Sequence, residues 1–424
     1  MIARIVLNDL HGIYNYDITL KENVTILTGP NGYGKTTILK IITAIHEGKY
    51  EYLCKLQYSR IAVYYKMPSN YMIVSINKGL KTDDTIESED QNSRYSDTIQ
   101  ITLSKSEEDM SSNEVLEQFD VSLENRSDEE RSIYRFYQTI NGKTITEKKE
   151  NNVVYDKDKC RNFDMFIKEQ KCSFIAEQRI LKTEQNEFGE ASTGYVIKDI
   201  ANELKTAFNH CQVQFSKKSQ QIDASFMSRL MDDECEACSE EDYKMSIERL
   251  IQKMERLREY GLVPSGEIVE KYSEAQSKVL SLYIKDMESK LSAYDSLFNK
   301  LSLFDKIVSS KVLSHKKISL NSKSGLSVND ENYRKVPLDK LSSGEQNLII
   351  LYYKLVFLHN SKSILLIDEP ENSLHIAWLT KMLDDYINIS KLLGCQIILA
   401  THSPAFINDN WDITFDLEDK AYQE

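Results

Sequence analysis

No uninterrupted apolar segment in this chain reaches the length that a bilayer span requires. The first residues, Met1-Ile2-Ala3-Arg4-Ile5-Val6-Leu7-Asn8-Asp9, turn polar too early for a secretion signal. A disulfide framework is missing too: seven cysteines, an odd number and widely scattered, leave reduced thiols as the default. Positive charge is in deficit. A net charge of -13 excludes a surface that is a nucleic-acid platform throughout, because non-specific binding is driven by phosphate neutralisation. Any DNA contact would have to be local. Proline is nearly absent between residues 195 and 315, where helix formers dominate. These absences leave a soluble cytoplasmic protein with long helices as the expectation. The length of 424 residues and a hydrophobic share of 41% are ample for more than one folding unit.

What is present gathers toward the two ends. Residues 3–7, 14–20 and 24–27 alternate as short strands and lead into Gly29-Pro30-Asn31-Gly32-Tyr33-Gly34-Lys35-Thr36. This octapeptide has the phosphate-loop spacing and lies between an expected strand and an expected helix, the context that gives the motif meaning. Its glycines let backbone N–H groups wrap phosphates, Lys35 neutralises β/γ oxygens and the Thr36 hydroxyl suits Mg²⁺. The helix should run from Thr36 with Gly48 as its stop. Alternating runs at 61–65, 71–76 and 98–103 predict an antiparallel sheet beside the nucleotide core.

Toward the other end, residues 363–367 and 395–400 are continuous apolar strands, the mark of a parallel sheet covered on both faces. Asp368-Glu369 follows the first of them and Thr401-His402-Ser403-Pro404 the second, so both motifs should sit at C-terminal strand ends, where open α/β sheets bind ligands. Asp368 suits Mg²⁺, and Glu369 suits a base that orients or deprotonates water. His402 alone reads as an ordinary loop histidine; in register with the other motifs it reads as a γ-phosphate contact. Ala176-Glu177-Gln178-Arg179 follows another strand, and Gln178 reads nearly as well as a plain loop glutamine. Leu341-Ser342-Ser343-Gly344-Glu345-Gln346 opens an apolar helical run, which is anion-binding geometry.

Between the two ends, Leu280, Ile284, Met287, Leu291, Tyr294, Phe298 and Leu301 alternate four and three residues apart, as a helix-pairing seam requires. Ile247, Leu250, Ile251, Met254 and Leu257 offer a facing helix. A projecting arm and a helix buried against its own domain fit this pattern equally. Cys235-Glu236-Ala237-Cys238 has zinc-ligand spacing, and two chains would supply four thiolates. Its strongly acidic flanks favour two free thiols over Zn²⁺.

Together, the phosphate loop, Gln178, the stretch from Leu341 to Gln346, Asp368-Glu369 and His402 resemble the ATP-binding-cassette ATPases of the SMC and RecF branch, which also carry a helical insertion between two halves. The tail Ile367-Asp368-Glu369-Pro370-Glu371-Asn372-Ser373-Leu374-His375 and Ala400-Thr401-His402-Ser403-Pro404 resembles prokaryotic ATPases related to the overcoming-lysogenization-defect nucleases. The ending from Ile407 to Leu417 is similar to the ATPase subunits of PARIS, a two-protein anti-phage system. The resemblance implies an α/β ABC-type head, a mixed sheet with helices and an antiparallel β subdomain, carrying an inserted helical or coiled-coil arm. Its divisions would be 1–194 for the N-terminal half of the head, 195–315 for the insertion and 316–424 for the C-terminal half.

In that family ATP is sandwiched between protomers. Gly29, Asn31, Gly32, Gly34, Lys35, Thr36 and Thr37 would bind the nucleotide, with Thr36, Asp368 and Gln178 on Mg²⁺. Glu369, His402 and Gln178 would act in catalysis, while Ser342 and Gly344 of the other protomer cap the γ-phosphate. Ile376 stands where many relatives have proline, a departure in the loop that connects the two sites. The nuclease relatives continue into a toprim domain; neither that pattern nor a His-Asn-His nuclease pattern follows His402, so cleavage is expected to belong to another protein. The expected role is an ATPase sensor and scaffold in anti-phage defence, with a homodimer or higher homo-oligomer, a toprim-type effector and a phage-encoded trigger as partners. The competing role is a DNA-clamping repair or chromosome ATPase. It would need a basic stripe, for which Lys217, Lys218 and residues 311–317 are candidates, although lysine runs on helices are usually solvated faces.

Overall fold

The computed structural model describes residues 1–80, 95–107, 113–123, 153–156, 159–185, 191–231, 237–263, 271–311, 316–358 and 363–419. They form two compact units, one made of Met1–Glu177, His359–Asn372 and Ile376–Glu424, the other of Gln178–Leu358 and Ser373–His375. Cys235 lies outside the described residues. Among the described residues, no helix is long and apolar enough to cross a membrane.

The first unit is built on a parallel sheet in the order Thr414–Asp416, Val24–Thr28, Gln396–Ala400, Ile364–Asp368, Cys172–Ile175. Its three central strands are buried at every position, which is why they read as continuous apolar runs rather than as alternation. The helix Lys35–Glu47 buries Ile38, Leu39, Ile41, Ile42 and Ile45 on one stripe. Each of these contributes about 1.5–3 kcal/mol by leaving water. It ends at Gly48, whose φ of 67° lets its N–H reach the Ala44 carbonyl.

An antiparallel sheet completes this unit, in the order Tyr14–Thr19, Ile2–Leu10, Arg60–Lys66, Tyr71–Leu80, Tyr95–Ser106, Asn113–Leu123, Val153–Val154. Ile5 faces Val63, Val63 faces Val74 and Val74 faces Leu103 across neighbouring strands, giving one apolar row. Side chains of both sheets and of the helix Lys35–Glu47 share one core. Gln396, fully buried, ties the ends of the chain together. Its Oε1 accepts from the Ile2 N–H at 2.8 Å, and its Nε2 donates to the carbonyls of Ile2 at 2.7 Å and Lys21 at 2.9 Å. The parallel sheet thus draws on both ends of the sequence, as its apolar runs implied.

The second unit is mainly helical. Val196–Met231 runs 36 residues, about 54 Å at the α-helical rise. It buries only Ile197, Ile200, Leu204 and Phe208, all near its start. Beyond them it is joined to Ser277–Leu291 and the turn that follows by polar contacts. Arg229 Nη2 donates to Asp286 at 2.8 Å, Lys290 Nζ to Asp223 at 2.6 Å and Lys218 Nζ to Ser292 at 2.7 Å. One partner number falls as the other rises, so the two helices run antiparallel, and Phe215 stacks on Tyr294 beside these ion pairs, with ring centroids 5.0 Å apart. Leu280, Ile284, Leu291, Tyr294 and Leu301 are buried, but the seam is not one helix: a single 3-10 turn, Ser292–Tyr294, separates Ser277–Leu291 from Asp295–Lys311. Ile247, Leu250, Met254 and Leu257 of Glu240–Glu259 are buried as well.

Two small sheets, Leu181–Gln185 with Ala191–Tyr195 and Lys316–Asn321 with Gly325–Asp330 and Lys335–Val336, complete the second unit. Gly325 has φ of 67°, and a Cβ there would lie 1.9 Å from the Ala201 carbonyl oxygen, so only glycine allows strand and long helix to meet so closely.

Candidate functional site

The strand Val24–Thr28 delivers the chain into the phosphate loop, and the helix Lys35–Glu47 leaves it. Gly29, Gly32 and Gly34 all have positive φ, which bends the loop around its own backbone. Gly34 is the most constrained of them, since a Cβ would come within 3.2 Å of Leu10 Cδ2. Asn31 and Gly32 are exposed at the tip, whereas Lys35 is buried. The Lys35 ammonium folds back into the loop and donates to the carbonyls of Gly29 at 2.7 Å and Pro30 at 3.1 Å. Tyr16 braces the loop from the antiparallel sheet, donating its hydroxyl to the Tyr33 carbonyl at 2.8 Å. Thr37, the last residue expected to bind nucleotide, has its hydroxyl 3.2 Å from His11 Nε2. Sequence reasoning did not select His11; the only sequence signal is its place just after the first strand.

Asp368 ends the strand Ile364–Asp368 and receives the Thr36 hydroxyl on Oδ1 at 2.9 Å, across 332 residues of sequence. Burial pushes the Asp368 carboxyl above its ordinary value, and Glu177 adds to this, against the Thr36 hydrogen bond, Lys40 and Lys35. Such a carboxylate beside a hydroxyl is a donor pair short of positive charge, which is what a divalent cation supplies. Both residues therefore fit Mg²⁺.

Glu369 follows with φ of 44°, left-handed backbone that a non-glycine residue adopts only where its surroundings enforce it. Here its N–H donates to the Ala400 carbonyl at 3.0 Å, and His402 Nδ1 lies 2.6 Å from its Oε2. Burial, followed by the charge and hydrogen bonding of Glu371, raises the Glu369 carboxyl to about 7, against the opposing effect of His402. That value suits a group that exchanges protons near neutrality. The His402 side chain is 58% exposed, so its ring is open to a ligand on its free side.

Glu371 was quoted in the sequence motif but given no role. The structure buries it and bonds it to Thr401, a fully buried residue of the loop that carries His402. Gln178 lies beyond the end of Cys172–Ile175, exposed, and is the first residue of the second unit. Its neighbour Glu177 is the residue of that segment whose charge reaches Asp368, and Glu177 Oε1 also accepts from Asn372 Nδ2 at 2.9 Å.

In the second unit, Leu341 is buried and Ser342 exposed at the start of the helix Ser343–Phe357. Ser342 is its N-cap, in a capping box: the Ser342 hydroxyl accepts from the Glu345 N–H at 3.3 Å, and Glu345 Oε2 accepts from the Ser342 N–H at 2.8 Å. Lys316 reaches both Glu345 oxygens, at 2.7 and 2.8 Å. Burial alone would raise the Glu345 carboxyl, but Lys316 and the two Ser342 groups hold it below the usual range. Gln346 Nε2 donates to the Leu341 carbonyl at 2.8 Å. Ser342 and Gly344 are thus presented on a braced turn. Farther along, Cys238 donates its thiol to the Ser277 carbonyl at 3.4 Å, and the described cysteines are free.

The chain belongs to the AAA ATPase domain family, whose model matches residues 1–407. No curated protein matches it. Among solved structures it is similar to an SMC head bound to the C-terminal winged-helix domain of ScpA, at 11% identity and a TM-score of 0.38, covering 96% of this chain and 91% of that one. It is also similar to the Smc head domain with an extended coiled coil bound to the C-terminal domain of ScpA, from Pyrococcus furiosus, at 13% identity and a TM-score of 0.36, covering 96% and 90%.

Proposed function

We propose that this protein hydrolyses ATP at a composite site, and that it serves as the sensor and scaffold of an anti-phage defence system rather than as its nuclease. The observation that carries the ATPase reading is the convergence in the first unit. The Thr36 hydroxyl meets Asp368, and His402 meets Glu369, at the ends of adjacent parallel strands beside the phosphate loop. Gly29, Asn31, Gly32, Gly34 and Thr37 line the phosphates, and the Lys35 ammonium exchanges its loop carbonyls for phosphate oxygens. Thr36 and Asp368 would hold Mg²⁺, which when bound neutralises the phosphate charge. Glu369 accepts a proton from the attacking water, and His402 orients the Glu369 carboxylate. Ser342, exposed at the helix start, and Gly344, half-buried beside it, suit the capping of a nucleotide held by a second copy.

The finer role rests on the resemblance of residues 367–375 and 400–417 to defence ATPases and on the acidic surface, which suits a protein partner such as a toprim-type effector. The division into 1–194, 195–315 and 316–424 belongs to this reading, as two parts of a head around an insertion. Turnover of Glu369→Gln tests the chemistry: ATP binding should persist while kcat falls about 10²–10⁴-fold. Unchanged turnover would remove Glu369 as the base. Co-purification of a neighbouring gene product tests the scaffold role, and ATP-dependent binding of duplex DNA at physiological salt would favour the repair reading instead.

A further inference from the structure

The strand Ile364–Asp368 runs into Glu369-Pro370-Glu371, and the strand beside it, Gln396–Ala400, runs into Thr401-His402-Ser403. Two catalytic groups, Glu369 and His402, therefore come from two separate loops. The strand ladder ends at Asp368 opposite Ala400, with the Glu369 N–H bonded to the Ala400 carbonyl at 3.0 Å, and leaves residues 370–371 and 401–403 to be held by other contacts. A loop free to move by an ångström would carry the His402 ring off Glu369, and displacements of that size cost catalysis about 10²-fold.

We propose that Glu371 is the positioning residue that straps these loops together and so holds His402 against Glu369, a proposal that rests on the ATPase reading of the site. Glu371 Oε1 accepts from the Thr401 hydroxyl and, at 3.3 Å, from the His402 N–H. The Thr401 oxygen in turn accepts from the Ser403 N–H at 3.0 Å, so donors and acceptors run in one direction from Ser403 through Thr401 to Glu371. Thr401 is fully buried and its N–H is bound to the Leu27 carbonyl at 3.0 Å, which anchors the chain of bonds to the strand that feeds the phosphate loop. The strap is sheltered: the Glu371 side chain is 8% exposed, which strengthens its hydrogen bonds relative to water.

A second observation separates this arrangement from ordinary loop packing. Glu371 Oε2 is buried with no hydrogen-bond partner among the described residues. Oxygens of Glu369 and Glu371 and a ring nitrogen of His402 lie within 4.8 Å of one another. A buried carboxylate with one oxygen unmet and a second carboxylate beside it is costly. The oxygen that is engaged, Oε1, bonds only to the loop that carries His402, which fits a role in the geometry of the base. Glu369 itself sits in left-handed backbone, a conformation that needs such external support.

The test is a set of full-length variants assayed for ATP turnover, with Glu369→Gln as the reference. Glu371→Ala should lower kcat about 10- to 100-fold with KM for ATP within about threefold, because the residue touches no phosphate. Glu371→Gln should keep kcat within about fivefold of the parent, since its carboxamide oxygen still accepts from Thr401 and His402. Thr401→Val should reproduce the alanine loss, and the double variant Glu371→Ala/Thr401→Val should be no worse than either single one. Independently of activity, hydrogen exchange of the amides of residues 402 and 403 should quicken about tenfold or more in Glu371→Ala and not in Glu371→Gln.

The proposal is overturned by parental kcat in Glu371→Ala, by a loss confined to KM, by additive losses in the double variant, or by a glutamine as damaging as alanine. Should Glu371→Ala fail to fold, Glu371→Gln and Thr401→Val decide by the same criteria. If Glu369→Gln abolishes turnover while Glu371→Ala leaves it intact, the ATPase reading stands and the strap falls. If Glu369→Gln turns over normally, the ATPase reading of Glu369 falls, and the exchange rates still judge the strap.

Discussion

The first unit's turn at Asp368 and Glu369 and the second unit's turn at Ser342 both present polar groups at the end of a regular element, yet they are built on opposite principles. The former crowds three acids, Asp368, Glu369 and Glu371, into a buried strand end, sets one of them in left-handed backbone and raises its carboxyl to about 7. The latter surrounds its one buried acid, Glu345, with a lysine, a hydroxyl and an N–H, and so lowers it. One turn is charged against its own interest and the other is at rest. The difference teaches where each can contribute. A strained acid is ready to change its proton or its partner, while a braced cap can only present a surface that does not move.

The sharpest way to break this comparison is Ser342→Arg. A bulky charge on a braced, exposed turn should leave folding and ATP binding nearly intact while turnover falls by about 10²-fold or more, because the residue would act on the nucleotide of a second copy. Equal losses in binding and turnover would mean that Ser342 acts within its own chain. Gly325→Ala probes the rigidity of the second unit, since the new methyl meets backbone at 1.9 Å. A loss of about 3 kcal/mol or more in denaturant unfolding is expected, and a loss below about 1 kcal/mol would show that the long helix can shift. Lys316→Met should cost about 1–2 kcal/mol, because Glu345 keeps its two Ser342 contacts but loses its cation. The strained turn predicts a pH effect instead. If Glu369 must be ionised to act, kcat should rise with pH through an acid limb near 7 and level above it. A flat profile between pH 6 and 8 would show that ligands restore the carboxyl to its ordinary range.

Legibility in the sequence followed the range of the forces involved. The phosphate loop and the strand ends were readable because glycine spacing and apolar runs are local, and the placement of Asp368, Glu369 and His402 at neighbouring strand ends follows from them. The helix stop at Gly48 was readable for the same reason. Glu371 was not: a glutamate after Pro370 looks like any surface acid, and its partner Thr401 lies 30 residues away. The heptad pattern over 280–301 picked out five buried positions, while Met287 and Phe298 are half-buried, and it could not register the 3-10 turn at Ser292–Tyr294, since that turn preserves the spacing while breaking the helix. The arm's ion pairs were equally hidden, because Arg229, Asp286, Lys290 and Asp223 alternate with other charges and become partners only once the two helices lie antiparallel.

Gln396 holds Ile2 and Lys21, and the Thr414–Asp416 strand lies on Val24–Thr28. During synthesis Val24–Thr28 must therefore wait for its two strand neighbours. At about 5–20 residues per second, the ribosome needs roughly 20–80 s to make the intervening chain. Through that interval the strand Val24–Thr28 has neither of its parallel neighbours and its edges stand open to any passing chain. A nascent protein of this kind is a natural client for chaperones, and a premature stop between residues 37 and 395 would release a fragment with the phosphate loop but without either strand that flanks Val24–Thr28.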